Sequence, residues 1–175
     1  MQEKLPVVQL LFFCINTSCE VLPFNSFLTN NLQPILLDMD IEPVINASFE
    51  HLFSFTQDDV IRFAELTGDN NPLHLDADYA ATTNFKRPII HGMLGATVFT
   101  KVLGTQFPGF GSIYLKQTLE FLRPMFVDTE YKAVFTIKTI QTEKHIAEIA
   151  TDIVDVNTKK VVTRGVATMI NEQKF

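Results

Sequence analysis

Cysteine is nearly absent from this 175-residue chain, with only Cys14 and Cys19, both near the start. Such a pair builds neither a disulfide framework nor a four-ligand zinc site. Basic residues are also scarce: 14 Lys plus Arg stand against 20 Asp plus Glu, a net charge of −6. Without a basic cluster the chain is a poor nucleic-acid ligand, because neutralising phosphates supplies most of that affinity. No apolar run approaches the roughly 20 residues that span a bilayer. The G-x-S-x-G nucleophile elbow is missing, and Gly109-Phe110-Gly111 lacks the third glycine of a dinucleotide loop. His51, His91 and His145 show no metal-ligand spacing. No repeat or low-complexity tract is visible. What is present is a folded composition, 46% hydrophobic and 19% charged, long enough for one domain with a real core. A single acidic domain in a reducing compartment fits all of this.

Residues 1–45 differ from the remainder. Leu5 to Ile15 is mostly apolar, and Asn-rich sequence with Pro23 and Pro34 follows. Lys4 before that run resembles a secretory signal, but Glu3 adjoins it and nothing downstream reads as a disulfide-stapled domain. A mitochondrial presequence should be Arg-rich and acid-poor, whereas the first arginine is Arg62 and Glu3, Glu20, Asp38, Asp40 and Glu42 are acidic. The expectation is an N-terminal extension over 1–45 and a folded domain over 46–175. Met39 offers an alternative start of translation. The cytoplasm is the expected location, with the mitochondrial matrix as the alternative.

From residue 46 the patterns become regular. Ser48 to Phe55 reads as a strand. Thr56 is an N-cap candidate, with Asp58 and Asp59 in the first turn and Val60, Phe63, Ala64 and Thr67 on one face; Gly68 ends that helix. Asp69 to His74 reads as a Pro-containing turn, and Asp76 caps a short helix through Ala81. Gly92 to Gly104 is apolar nearly all round, which predicts a helix buried on most of its surface. Beyond Ser112 the period turns to two: Tyr131, Ala133, Phe135 and Ile137 alternate with polar residues, and Val161 to Ile170 reads as a last strand. The prediction is an α+β fold, with about four long strands in meander connection wrapped around a central helix.

Two constellations carry chemistry. Thr67-Gly68-Asp69-Asn70-Asn71-Pro72-Leu73-His74 sets a carboxylate and an imidazole five residues apart across a turn. A carboxylate can take a proton from water, and a histidine can orient that water near neutral pH. Equally, Asp69 and Asn71 can serve the turn's backbone and His74 can be a satisfied buried side chain. In Pro88-Ile89-Ile90-His91-Gly92-Met93, Gly92 opens the buried helix. Its N–H could polarise a carbonyl oxygen, or the glycine could simply permit a tight turn.

Taken together, Phe63-x-x-Leu66-Thr67-Gly68-Asp69-x-Asn71-Pro72-Leu73-His74, the segment Phe85 to Met93, and Pro108 to Leu115 resemble the MaoC-like, (R)-specific enoyl-CoA hydratase family. The resemblance runs over about residues 48–170. It implies a single hot-dog fold, usually a homodimer with sites at the subunit interface. It also implies reversible syn addition of water to a trans-2-enoyl thioester, giving the (R)-3-hydroxyacyl thioester. By position, Asp69 would activate the water, His74 would bind it and assist proton transfer, the Gly92 N–H would hold the thioester carbonyl, and Asn71 would support the turn. No metal or redox cofactor is implied, since coenzyme A or an acyl-carrier arm belongs to the substrate. Lys86 and Arg87 could meet coenzyme A phosphates or be solvated charge.

Three rivals share these features. Dehydration of 3-hydroxyacyl-carrier thioesters in fatty-acid synthesis uses the same chemistry. Hot-dog thioesterases often carry an acidic residue on or beside the central helix, and Gly92 to Gly104 has none. A non-catalytic acyl-thioester binding subunit would have no need of the Asp69–His74 pair.

Overall fold

The computed structural model describes residues 43–175, so the readings of Leu5–Ile15, Cys14, Cys19 and Met39 lie outside the described residues. In chain order the elements are β1 (Ser48–Phe53), α1 (Gln57–Thr67), α2 (Pro72–Leu75), α3 (Ala77–Thr82), α4 (Gly92–Thr105), β2 (Ile113–Phe121), β3 (Tyr131–Gln141), β4 (Ile146–Asp155) and β5 (Val161–Ile170).

Local chemistry accounts for the helical half. Thr56 and Asp59 form a reciprocal capping box: the Thr56 hydroxyl accepts the Asp59 N–H, and the Asp59 carboxylate accepts the Thr56 N–H at 2.8 Å. The Thr56 N–H first, and then the Thr56 hydroxyl, which donates to the same carboxylate oxygen at 2.8 Å, hold Asp59 below the usual carboxylate range. At the other end Gly68 takes φ 77°, a left-handed conformation that favours glycine, and its N–H closes on the Ala64 carbonyl. The segment expected to be only a turn contains a short helix instead. Asn71 caps α2, and Pro72 stands at its first position, where the missing N–H does no harm. Asp76 caps α3 through the Tyr79 N–H, as expected.

The five strands form one antiparallel sheet in the order β1-β3-β4-β5-β2. Strands β3, β4 and β5 are a meander, joined by the short turns at Thr142–Lys144 and after Asp155. The expected four-strand meander fails at β2, which does not pair with its successor β3. One side of β3 is taken by the hairpin to β4 and the other by β1, so β2 crosses to the free side of β5.

Tyr131, Ala133, Phe135 and Ile137 of β3, with Ala147, Ile149 and Ile153 of β4, turn one apolar face towards α4 and are fully buried. Phe99 of α4 meets Phe135 edge-on, with ring centroids 5.8 Å apart. Leu94, Val98, Val102 and Leu103 complete the helix's contribution, each such side chain worth about 1.5–3 kcal/mol when fully buried. Burial around α4 is not complete, however. Met93, Thr97, Thr100 and Lys101, spaced three and four apart, form an exposed stripe, because one sheet covers only one side of a helix.

The inner face also holds a polar patch. Gln117 of β2 donates to the Thr151 hydroxyl at 3.0 Å and to its neighbour's carbonyl, and it accepts from the Tyr114 hydroxyl. The patch depends on Gly165 of β5, where a Cβ would collide with the Thr118 carbonyl oxygen. Burial raises the Tyr114 hydroxyl well above its ordinary pKa. A five-stranded antiparallel sheet folded onto a central helix is the hot-dog fold the sequence predicts. No helix among the described residues is long and apolar enough to cross a membrane.

Candidate active site

The two constellations come together where α1 ends and α4 begins. Asp69 follows Gly68 directly, so the left-handed turn that stops α1 also throws the carboxylate out of the helix; its side chain is 55% exposed. The turn is knitted by side chains bonding to main chain. Thr67 Oγ1 accepts the Asp69 N–H at 3.3 Å, and Asp69 Oδ1 accepts the Asn71 N–H at 3.4 Å. Asn71 Oδ1 accepts the Leu73 N–H, and the Asn71 carbonyl accepts that of His74. Asn71 therefore shapes α2, the short helix carrying His74. From α1, Gln57 donates to the His74 carbonyl at 3.1 Å and ties the two helices together.

His74 is half-buried, and its orientation fixes its tautomer. Nδ1 lies 2.7 Å from the Ile89 carbonyl oxygen, which can only accept, so Nδ1 carries the proton. In the neutral ring Nε2 is then a bare lone pair. Asp69, His74 and His91 each bring a possible ligand atom within 4.8 Å of the others. As a metal set this is thin. His91 Nε2 is engaged at 3.0 Å with the Asp69 main-chain oxygen, and His74 Nδ1 with Ile89. Outside the buried His91 ring, the exposed Asp69 carboxylate and His74 Nε2 are left, where protein metal sites use three or four donors.

Gly92 is the first residue of α4, beside this pair. His91 stands at the N-cap position but makes no side-chain bond to the first turn, so no side chain among the described residues caps the helix. The first N–H groups of an α-helix have no intrahelical partner and carry its positive dipole end. The Phe121 ring lies over Gly92, its Cε1 2.9 Å from where a Cβ would sit. A carboxylate, a lone-pair nitrogen and a helix N-terminus thus converge. Together they can deprotonate a water and stabilise negative charge on a carbonyl oxygen.

The structure thus places Asp69, Asn71 and His74 on the turn and short helix that face the start of α4, where Gly92 stands. Lys86 is exposed, and the Arg87 guanidinium stacks over the Phe126 ring at 3.8 Å. The residue without an assigned part in the sequence reading is His91, buried at 2% exposure in the middle of the site. The available signal was its position, a polar ring ending the apolar run Ile89-Ile90 next to the helix-opening glycine.

Comparison with known proteins places this geometry in context. The MaoC like domain model matches residues 41–161. The chain is 50% identical over 95 residues to an (R)-specific enoyl-CoA hydratase of Aeromonas caviae, spanning 54% of this chain and 71% of that protein. A second protein of that name, from Rhodospirillum rubrum, is 38% identical over 117 residues, covering 67% of this chain and 80% of the relative. Among solved structures, the (R)-hydratase from A. caviae involved in PHA biosynthesis superposes with a TM-score of 0.70 at 40% identity, covering 73% of this chain and 96% of that one.

Proposed function

The chain belongs to the MaoC-like domain family, and from that premise we propose that it is an (R)-specific enoyl-CoA hydratase acting through Asp69, His74 and Gly92. The observation that carries the reading is the convergence of the Asp69 carboxylate with Nε2 of His74, the ring nitrogen not bonded to Ile89, beside the start of α4. A trans-2-enoyl thioester lies with its carbonyl oxygen on the Gly92 N–H, which makes C3 electrophilic. One water, held between Asp69 and His74 Nε2, attacks C3 as it gives up a proton to this pair. Electron density moves from the C2–C3 double bond towards the carbonyl oxygen, where the helix N-terminus stabilises it. The same proton then returns to C2. Because water oxygen and proton come from one place, both add to one face, and the addition is syn. Read backwards, the same steps dehydrate a 3-hydroxyacyl thioester. The coenzyme A arm arrives with the substrate.

The test is loss of enoyl-thioester absorbance with crotonyl-CoA, with the product's configuration assigned. We expect (R)-3-hydroxybutyryl-CoA from the wild type. We expect a fall in kcat of about 10²–10⁴ for folded Asp69→Asn and His74→Ala, the usual worth of general acid–base catalysis. A folded wild type that hydrates no enoyl-CoA overturns the proposal; carrier-protein thioesters and thiol release would then separate dehydratase, thioesterase and binding subunit.

The working unit we propose is a homodimer. Among the described residues strand β2 ends the sheet with an unpaired edge and exposes Ile113, Leu115 and Phe121, while Met93 is exposed at the start of α4. An open edge with apolar side chains needs a cover, and a second copy offers a matching one. Light scattering should give twice the 19.8 kDa chain mass, falling to one chain in Ile113→Lys combined with Leu115→Glu. A wild-type monomer at micromolar concentration would refute the dimer.

A further inference from the structure

We propose that His91 is a positioning residue that sets the geometry of the Asp69–His74 pair, an inference that rests on the catalytic reading above. Three contacts of one ring carry it. Its Nε2 lies 3.0 Å from the Asp69 main-chain oxygen, 22 residues away, and must donate to it. One ring face lies on His74, with centroids 3.8 Å apart and planes 32° from parallel. Phe63 of α1 packs against the same ring at 5.1 Å. His91 is thus pinned against α1 and touches both members of the pair through different parts of itself. The N–H fixes where the Asp69 backbone stands, and the ring face limits where the His74 imidazole can rotate. Since its backbone leads directly into Gly92, the same residue joins carboxylate, imidazole and helix N-terminus.

The remaining nitrogen shows that this side chain is more than filling. Nδ1 of His91 is buried and has no hydrogen-bond partner among the described residues. A buried acceptor left unpaired is unfavourable, and an apolar side chain of similar shape would avoid it. Capping α4 does not explain the ring either, because it makes no bond to the first turn. What an apolar ring could not supply is the Nε2–H. The imidazole combines that donor with a flat face for His74.

Two substitutions separate these parts. His91→Phe keeps a ring against His74 and removes the donor; His91→Gln places an N–H near Nε2 and removes the ring. Misplacing reacting groups by about 1 Å can lower rates about 10²-fold. We therefore expect folded His91→Phe to hydrate crotonyl-CoA with kcat reduced about 10²-fold and KM within about twofold, since the ring is only 2% exposed. His91→Gln should recover much of the loss. Nitrogen-15 NMR of the wild-type imidazoles should show His91 as the Nε2–H tautomer and His74 as Nδ1–H, with the His74 signals broadened in His91→Phe. The inference is overturned if His91→Phe keeps kcat within threefold, if His91→Gln is no better than His91→Phe, or if KM alone moves. Should His91→Phe not fold, a wild-type spectrum showing His91 protonated on Nδ1 alone overturns it, and the Nε2–H tautomer with an active His91→Gln supports it. Asp69→Asn run alongside distinguishes the failures: full activity there removes the base assignment itself, whereas an inactive Asp69→Asn beside a fully active His91→Phe removes only the role of His91.

Discussion

The two ends of α4 are finished in opposite ways. At the C-terminal end the chain satisfies its own carbonyls: the N–H groups of Gln106 and Phe107 both return to the Val102 oxygen, that of Gly109 reaches the Leu103 oxygen, and the Thr105 hydroxyl closes on Lys101. Phe107 then seals the end, stacked on Phe49 with centroids 5.6 Å apart. At the N-terminal end the capping position is held by a residue whose ring turns away to Asp69, and among the described residues the first turn has no side-chain cap. One helix thus has a negative pole neutralised by its own chain and a positive pole left without a side-chain cap. The contrast separates stability from chemistry. A helix end that serves only the fold is closed; one that must meet developing negative charge is kept available at some expense of stability.

Breaking the closed end should damage the fold and leave the chemistry alone. Phe107 is 2% exposed, and Phe107→Ala should cost about 3–5 kcal/mol of unfolding free energy. Denaturant titration would read that loss, while kcat per folded molecule, measured well below the melting temperature, should be unchanged. A parallel fall in kcat would show that the two ends are coupled.

The open end should respond in the reverse sense. Gly92 is at the first helical position, where proline is accepted, and His91 already has φ −58° and ψ 132°, the extended form a residue before proline needs. Gly92→Pro therefore deletes the N–H with little harm to the helix. We expect it to lower kcat by about 10²–10³, the worth of one oxyanion donor. Gly92→Ala is the control, since it presses on the same Phe121 ring but keeps the N–H, and it should retain most activity. Equal losses in both would locate the effect in Phe121 instead of the N–H.

A smaller effect sharpens the picture along the flank of the helix. Lys101 Nζ donates to His51 Nε2 at 3.3 Å, and burial first, then the Lys101 charge, lower the His51 pKa. The unfolded chain, with a value near 6.5, binds that proton more readily than the folded one. The contribution is therefore complete above about pH 6.5 and is lost as pH falls through the folded value. Between about pH 7 and 5, stability should decline less steeply in His51→Gln than in the wild type; identical slopes would remove His51 from the pH dependence.

Sequence patterns had reach where causes were local. The Thr56 cap of α1, its glycine stop, and the five-residue step from Asp69 to His74 each lie within a few positions, and each was readable. So was the alternation in β3, because one buried face imposes it. The pairing of β2 with β5 was not readable: it follows from β3 having both sides occupied, a fact of the whole sheet. The exposed stripe on α4 was legible only in its polar members Thr97, Thr100 and Lys101, because apolar composition shows that a helix can be buried, not from how many sides. His91 escaped for a related reason. Its partners are a main-chain oxygen and the face of another ring, and neither leaves a residue-type signature at a fixed spacing.

Gly165 bears on how the sequence can drift. The atom a side chain there would strike is the main-chain oxygen of Thr118, which no substitution at 118 can remove. Every amino acid one base change away from a glycine codon carries a Cβ. The position therefore has no viable neighbours in sequence space and no simple compensating partner, whereas Gly104, with nothing within 4 Å of a Cβ, can be left and regained freely. Descendants of this chain can alter the outer face of the sheet at will, but they inherit the seam between β2 and β5 unchanged.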